Sequence, residues 1–150
     1  MILVTGGTGL VGSHLLFKLL KEGETVRAIY RREKTLKRVS NVFSYYTDAA
    51  DQLFSKIDWV EANITNIPKL QDAFKGVTKV YHCAAFVSFE PDKEKLLRKI
   101  NIEGTANIVN LSLTHNVERL CYVSSISAIG HHTNPEKLID EQTAWNPEDD

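Results

Sequence analysis

The first twelve residues constrain this chain more than any other stretch: Met1-Ile2-Leu3-Val4-Thr5-Gly6-Gly7-Thr8-Gly9-Leu10-Val11-Gly12. A short apolar, β-branched run enters four glycines and leaves them in a helical pattern, which reads as strand, tight turn and helix N-terminus. Gly7, Gly9 and Gly12 have the G-x-G-x-x-G spacing, with Gly6 as an extra glycine in the turn. Glycines so placed free the backbone, let an anion approach main chain, and bring the helix close to the strand. The unpaired N–H groups and positive dipole end of a helix opening at Leu10 and Val11 suit a diphosphate. Thr5 and Thr8 can add hydroxyl contacts. The stretch predicts a dinucleotide site at a strand-to-helix corner; the alternative is a bare turn.

At 150 residues the chain is one domain's worth. Over 11–22, Val11, Leu15, Leu16, Leu19 and Leu20 recur at helical spacing, and Gly23 stops the helix. A second strand over 25–30 ends in Tyr30-Arg31-Arg32. At such a strand end an acid holds a free ribose 2′-hydroxyl, whereas a guanidinium matches a 2′-phosphate. No acid stands there, so Arg31 and Arg32 favour NADP(H) over NAD; the alternative is a solvated basic strand end with Glu33 beside it. Residues 32–57 carry no sustained period, with short helices expected near 33–39 and 49–54. A third strand over 57–62 leads to Asn63 and Ile64, where the amide can pair with the edge of adenine or only fill a loop. Pro68 and Gly76 bracket a helix that buries Leu70, Ala73 and Phe74.

A fourth strand over 79–85 closes on Ala84 and Ala85, small enough for a cofactor to lie against backbone. His82 within it reads as a satisfied core histidine. A long helix over 93–115 turns Leu97, Ile100, Asn101, Gly104, Ile108 and Leu111 inward. Asn101, polar on an apolar face, is either a hydrogen-bond anchor or part of a site. A fifth buried strand over 119–123 ends in Ser124-Ser125-Ile126-Ser127, and Cys83 and Cys121 read as buried free thiols. His131-His132 lacks the further ligands a metal would need, so no metal site is expected. Strands and helices alternate throughout, which predicts an α/β Rossmann domain over 1–150, a doubly wound parallel sheet of strand order 3-2-1-4-5.

A net charge of −1 gives no field to recruit nucleic acid or an anionic membrane. The apolar runs break well short of a membrane span, and the N-terminal strand has no basic leader. A cytoplasmic protein without nucleic-acid or membrane partners is expected.

Four motifs in register, Thr5-Gly6-Gly7-Thr8-Gly9-Leu10-Val11-Gly12, His82-Cys83-Ala84-Ala85, Asn101 with Gly104-Thr105, and Tyr122-Val123-Ser124-Ser125, extend over essentially the whole chain. In them the sequence resembles the extended short-chain dehydrogenase/reductases. More narrowly, it is similar to the NAD(P)-dependent epimerase/dehydratase group, which includes sugar-nucleotide epimerases and reductases of the dihydroflavonol and 3β-hydroxysteroid type. The resemblance implies that Gly6, Gly9 and Gly12 hold the pyrophosphate, that Arg31 meets the adenosine 2′-phosphate, and that Ala84 and Ala85 line the cofactor. Asn63 stands where the family has an aspartate. Asn101 would brace the active site, and Ser125 would orient the reacting oxygen of the substrate.

The same family uses a tyrosine four residues before a lysine as its proton donor or acceptor. Only Tyr30 with Lys34 has that spacing here, at the ribose end of the second strand. The expected position falls at or beyond Asp150, so the resemblance implies the N-terminal part of a longer enzyme, ending before its sixth strand and substrate lobe and inactive alone. The parent would transfer hydride at a hydroxyl or keto carbon of a sugar nucleotide or similar small molecule. A carbonyl reductase, or a non-catalytic nucleotide-binding module, are the alternatives. A homodimer through the helix over 93–115 is a further expectation.

Overall fold

The computed structural model describes residues 1–130 and 136–145. Five strands, β1 (Ile2–Thr5), β2 (Val26–Tyr30), β3 (Asp58–Glu61), β4 (Lys79–His82) and β5 (Arg119–Tyr122), form one parallel sheet in the order β3-β2-β1-β4-β5. The expected strand order is the observed one. The succession of strands runs outward to one side from β1 to β3 and to the other from β4 to β5, so β1 and β4 flank the switch point at which open α/β sheets leave a crevice.

Strand alternation sends neighbouring residues of β1 into two different cores. Ile2 and Val4 join Leu16, Leu20, Val39 and Phe43 under α1 (Leu10–Lys21) and α2 (Leu36–Ser44). Leu3 joins Leu70, Phe74, Ile108 and Leu111 on the opposite face, under α4 (Ile67–Ala73) and α6 (Thr105–Thr114). The short α3 (Ala50–Phe54) closes the first core through Ala50. Both faces of β1 are thereby covered, as a buried parallel strand requires. Arg27 of β2 ties the edge: its Nε donates to Asp58 Oδ2 at 2.7 Å, and its Nη1 donates to the carbonyls of Ala73 and Lys75 at 2.9 and 2.8 Å. The guanidinium thus satisfies carbonyls left open where α4 ends.

Three expectations change. The fourth strand stops at His82, and Cys83, Ala84 and Ala85 begin a loop. The single helix expected over 93–115 is a composite. A 3-10 turn (Pro91–Lys93) leads to α5 (Glu94–Leu97), then to a π-helical segment (Arg98–Gly104), then to α6. Apolar spacing alone cannot distinguish such a register change from a continuous α-helix. The fifth strand is exposed along its whole length, and among the described residues it pairs only with β4. Cys121 is therefore exposed and Cys83 half-buried, both as free thiols. No helix of the described residues is long and apolar enough to cross a membrane. His131, His132 and the stretch after Trp145 lie outside the described residues.

Candidate functional site

All five strands point the same way, so the glycine turn, Arg31, Asn63, Ala84 and Ser125 leave the sheet at one edge. The turn is built by Gly6. Its φ of +69° is left-handed, and a Cβ there would lie 2.6 Å from Ala84 N and from the Cys83 carbonyl carbon. Gly7, counted from spacing as the first glycine of the motif, has a different place. It is buried, and its Cβ would press Leu16 Cδ1 at 2.9 Å and Ala28 Cβ at 3.3 Å, which makes it a packing glycine beneath α1. At Gly12 a Cβ would drive into the Gly6 carbonyl group, with Gly7 Cα at 2.8 Å, so close approach of α1 to the turn excludes any side chain.

Gly9 differs from the others. Its backbone is extended, with φ −87° and ψ 176°, and the single atom near an added Cβ is Gly6 O at 3.3 Å. The protein itself makes little demand for glycine there, whereas a ligand lying on the main chain does. The helix start agrees. No side chain caps α1, its first turn has no acid, and Ser13 Oγ donates back to Leu10 O at 3.0 Å. The first i→i−4 bond is Ser13 N to Gly9 O at 3.0 Å, so the N–H groups of Leu10, Val11 and Gly12 have no carbonyl partner among the described residues. Bare backbone, three open donors and a positive dipole end fit a diphosphate. Thr8 is half-buried beside them. Thr5 is fully buried with its hydroxyl engaged by His82 and Ala84, which removes it from the contacts its sequence position suggested.

Beyond the turn, a cavity of about 220 Å³ opens between the ends of β2 and β3, lined by Arg31, Glu61, Ala62, Asn63, Asn66 and Lys69. Arg31 and Arg32 are exposed, and Lys69 Nζ is paired with Glu61 Oε1 at 3.1 Å. Asn63 Oδ1 accepts from Thr65 N at 3.2 Å, a turn-forming bond. The Ile64 side chain is buried against Gly104, where a Cβ would meet its Cδ1 at 2.6 Å, and its carbonyl accepts from Asn107 Nδ2 at 3.0 Å. Ile64 does not line that cavity. Sequence spacing alone missed Glu61, Asn66 and Lys69. The polar residue before Ile67-Pro68 was the available signal, since Asn66 caps α4 by accepting from Lys69 N at 3.2 Å.

Asn101, inside the π-helical segment, accepts from Phe86 N at 2.8 Å and donates to Phe86 O at 2.8 Å. Both ends of the amide are satisfied on one backbone unit, so it is an anchor for the loop that Ala84 and Ala85 begin. Ser125 is exposed in the loop after β5, and its carbonyl accepts from Ala128 N at 3.0 Å. His82 is 1% exposed and bridges two hydroxyls; burial lowers its pKa to about 4, so the ring is neutral near pH 7. Burial pushes the Cys83 thiol up, and nearby Cys121 adds to the shift. A larger cavity, about 500 Å³, lies on the open β4–β5 face and includes Lys79, Tyr81, Arg119 and Cys121; the glycine turn does not line it.

A parallel 3-2-1-4-5 sheet with a glycine turn and open helix N–H groups at its switch point defines a nucleotide-binding α/β domain of Rossmann type. The model of the NAD dependent epimerase/dehydratase family matches residues 2–149, and the chain belongs to that family. A putative dihydroflavonol 4-reductase of Synechocystis is 35% identical, covering 85% of this chain and 33% of the relative. A cinnamoyl-CoA reductase 1 of Oryza sativa subsp. japonica is 30% identical, covering 97% and 40%. Among solved structures, a short-chain dehydrogenase/reductase superfamily protein of Agrobacterium tumefaciens with bound NAD superposes with a TM-score of 0.67 at 28% identity, covering 85% of this chain and 33% of that one. The chain thus spans well under half the length of these relatives.

Proposed function

We propose that these residues are the NADP(H)-binding part of an oxidoreductase that acts on a hydroxyl or keto carbon of a small molecule. The observation carrying the reading is Gly9, bare where the protein alone has little need of glycine, beside three open helix N–H donors. Gly6, Gly9, Gly12 and the first-turn N–H groups of α1 would hold the diphosphate. Arg31, with Arg32 beside it, would meet a 2′-phosphate at the cavity it shares with Asn63. Ala84 and Ala85 would leave the nicotinamide half room against main chain, on a loop held by Asn101. A bound nicotinamide supplies the hydride donor or acceptor. Ser125 would orient the substrate oxygen by a hydrogen bond.

Within the family, a sugar-nucleotide epimerase keeps one cofactor through turnover, whereas a carbonyl reductase exchanges it. An exposed arginine with no acid partner among the described residues, at the ribose end of β2, favours the exchanging, NADP(H)-type enzyme. Exposed Leu96, Ile102, Val109 and Leu113 along the helices over 94–114 support pairing of two copies.

The test is a calorimetric titration with NADPH and NADH. A charge-assisted phosphate contact contributes about 1.5–3 kcal/mol, so Arg31→Ala is expected to weaken NADPH roughly tenfold or more and to leave NADH within about twofold. Equal losses would make the arginine a bystander.

The 150-residue chain is also expected to bind nucleotide without turnover. Tyr30, the only tyrosine four residues ahead of a lysine, packs on Trp59 with ring centroids 6.2 Å apart, at the β2–β3 side of the sheet and away from Ser125. Nucleotide-dependent oxidation or reduction by the purified chain, followed at 340 nm against carbonyl and alcohol substrates, would contradict this.

A further inference from the structure

The two walls of the crevice at the switch point are the glycine turn and the loop leaving β4. Main-chain bonds join them: Thr5 pairs with His82 in the sheet, and Cys83 N donates to Thr5 O at 3.1 Å. A second, side-chain linkage runs through the same place. Ala84 N donates to Thr5 Oγ1 at 3.3 Å, Thr5 Oγ1 lies 2.6 Å from His82 Nδ1, and His82 Nε2 lies 3.0 Å from Thr105 Oγ1 on α6. The imidazole also stacks on Tyr122 of β5, with centroids 5.2 Å apart. One buried ring therefore touches β1, β5 and the helix that follows the π-helical segment.

Donor and acceptor arithmetic orders this chain of bonds. The Thr5 oxygen accepts from the Ala84 amide, and of its two partners only the imidazole can accept in return, so the buried hydroxyl proton finds an acceptor only at the ring. His82 Nδ1 is then the acceptor, and Nε2 carries the proton that goes to Thr105. An imidazolium would have N–H groups on both sides and would leave the Thr5 hydroxyl proton without an acceptor in a buried site.

We propose that His82 is a positioning residue for the nucleotide cradle: its Nδ1, as acceptor, fixes the Thr5 hydroxyl, which fixes the Ala84 amide and hence the spacing between Gly6 and the loop after β4. Gly6 lies directly against that loop: a Cβ added there would stand 2.6 Å from Ala84 N and from the Cys83 carbonyl carbon. The inference rests on the nucleotide reading of the cradle for its functional consequence, and its structural part is measurable without any ligand.

Two substitutions divide the ring's two contacts. In His82→Asn the amide oxygen takes the place of Nδ1 and keeps the acceptor for Thr5, while the contact to Thr105 is lost. In His82→Gln the amide nitrogen reaches toward Thr105, while the acceptor for Thr5 is lost. Both remove the same stacked ring, so both are expected to lower the melting temperature by similar amounts.

Hydrogen exchange at Ala84 N–H separates them: protection is expected to persist in His82→Asn and to fall about tenfold or more in His82→Gln. NADPH affinity is expected to follow, staying within about threefold of the parent in the first variant and falling about tenfold in the second. In the parent protein, ¹⁵N spectra are expected to show an unprotonated Nδ1. Equal loss of Ala84 protection in both variants, or a protonated Nδ1, overturns the proposal. If the parent takes up neither nucleotide, the reading of the cradle fails while the exchange measurement still decides the brace. If exchange separates the variants and NADPH affinity does not, the link from brace to cradle is overturned.

Discussion

Gly9→Ala is expected to fold with a melting temperature close to that of the parent and to lose nucleotide affinity by about two orders of magnitude. The single protein atom near the new methyl group is Gly6 O at 3.3 Å, and the extended backbone at Gly9 suits any residue. A few tenths of an ångström of adjustment relieve that contact. A phosphate lying on the same main chain has no such freedom, because its hydrogen bonds to the first-turn N–H groups fix its distance from the backbone.

Gly6→Ala and Gly12→Ala are expected to fail in the opposite order. The first combines a left-handed φ, costing about 1–2 kcal/mol for a residue with a Cβ, with contacts of 2.6 Å to backbone atoms of the β4 exit. The second sets a methyl into the Gly6 carbonyl group, and neither neighbour is a side chain that can swing aside. Each should lower stability by about 3 kcal/mol or more, seen as an early urea midpoint, with binding lost along with the fold. Calorimetric titration beside urea unfolding separates the two classes. A Gly9→Ala protein that binds NADPH and NADH as the parent does would take the ligand away from this corner and leave the glycine there without explanation.

These three glycines also show what spacing could and could not reveal. The strand, turn and helix of the opening are local, and each is written in side-chain pattern, so the corner is legible in its own twelve residues. Which of Gly6 and Gly7 serves the turn is decided by β4, whose exit lies against Gly6 but comes from residues 83 and 84. Counting G-x-G-x-x-G from Gly7 therefore picks a residue whose missing Cβ serves Leu16 and Ala28.

The same division holds elsewhere. Strand order followed from alternation of strands and helices, a rule about connections that needs no contact detail. The π-helical segment did not, because one extra residue in a turn leaves apolar spacing nearly unchanged while it re-aims Asn101 at Phe86. The exposure of β5 was illegible for another reason: Leu120-Cys121-Tyr122-Val123 has the composition of a buried strand, and burial depends on what packs against it, which among the described residues is one neighbouring strand, β4. Arg31 could be read at its strand end, but the cavity it lines needs Glu61, Asn66 and Lys69 from the next crossover.

Stability is expected to fall between pH 6.5 and pH 4 by an amount that belongs to His82. Burial lowers its pKa to about 4 in the folded chain, from an ordinary 6.5 when unfolded. Across that window the unfolded chain binds more protons than the folded one, so stability rises with pH. The contribution is complete above pH 6.5 and lost as pH drops toward 4, a change of about 3 kcal/mol for a shift of this size.

No charged partner contributes to the shift, and the groups against the ring from β1, α6 and β5 are two hydroxyls and a phenol, none of them a carboxylate or an ammonium. The measurement is a urea unfolding series at pH 7.5 and pH 4.5 on the parent and on His82→Asn. Carboxylates that titrate in acid act on both proteins alike and cancel in the difference. The parent's advantage over the variant at pH 7.5 is therefore expected to shrink by about 2–3 kcal/mol at pH 4.5. A difference that stays constant across the two pH values would mean that protonation of His82 costs the fold nothing, and that the ring is not the neutral bridge between Thr5 and Thr105.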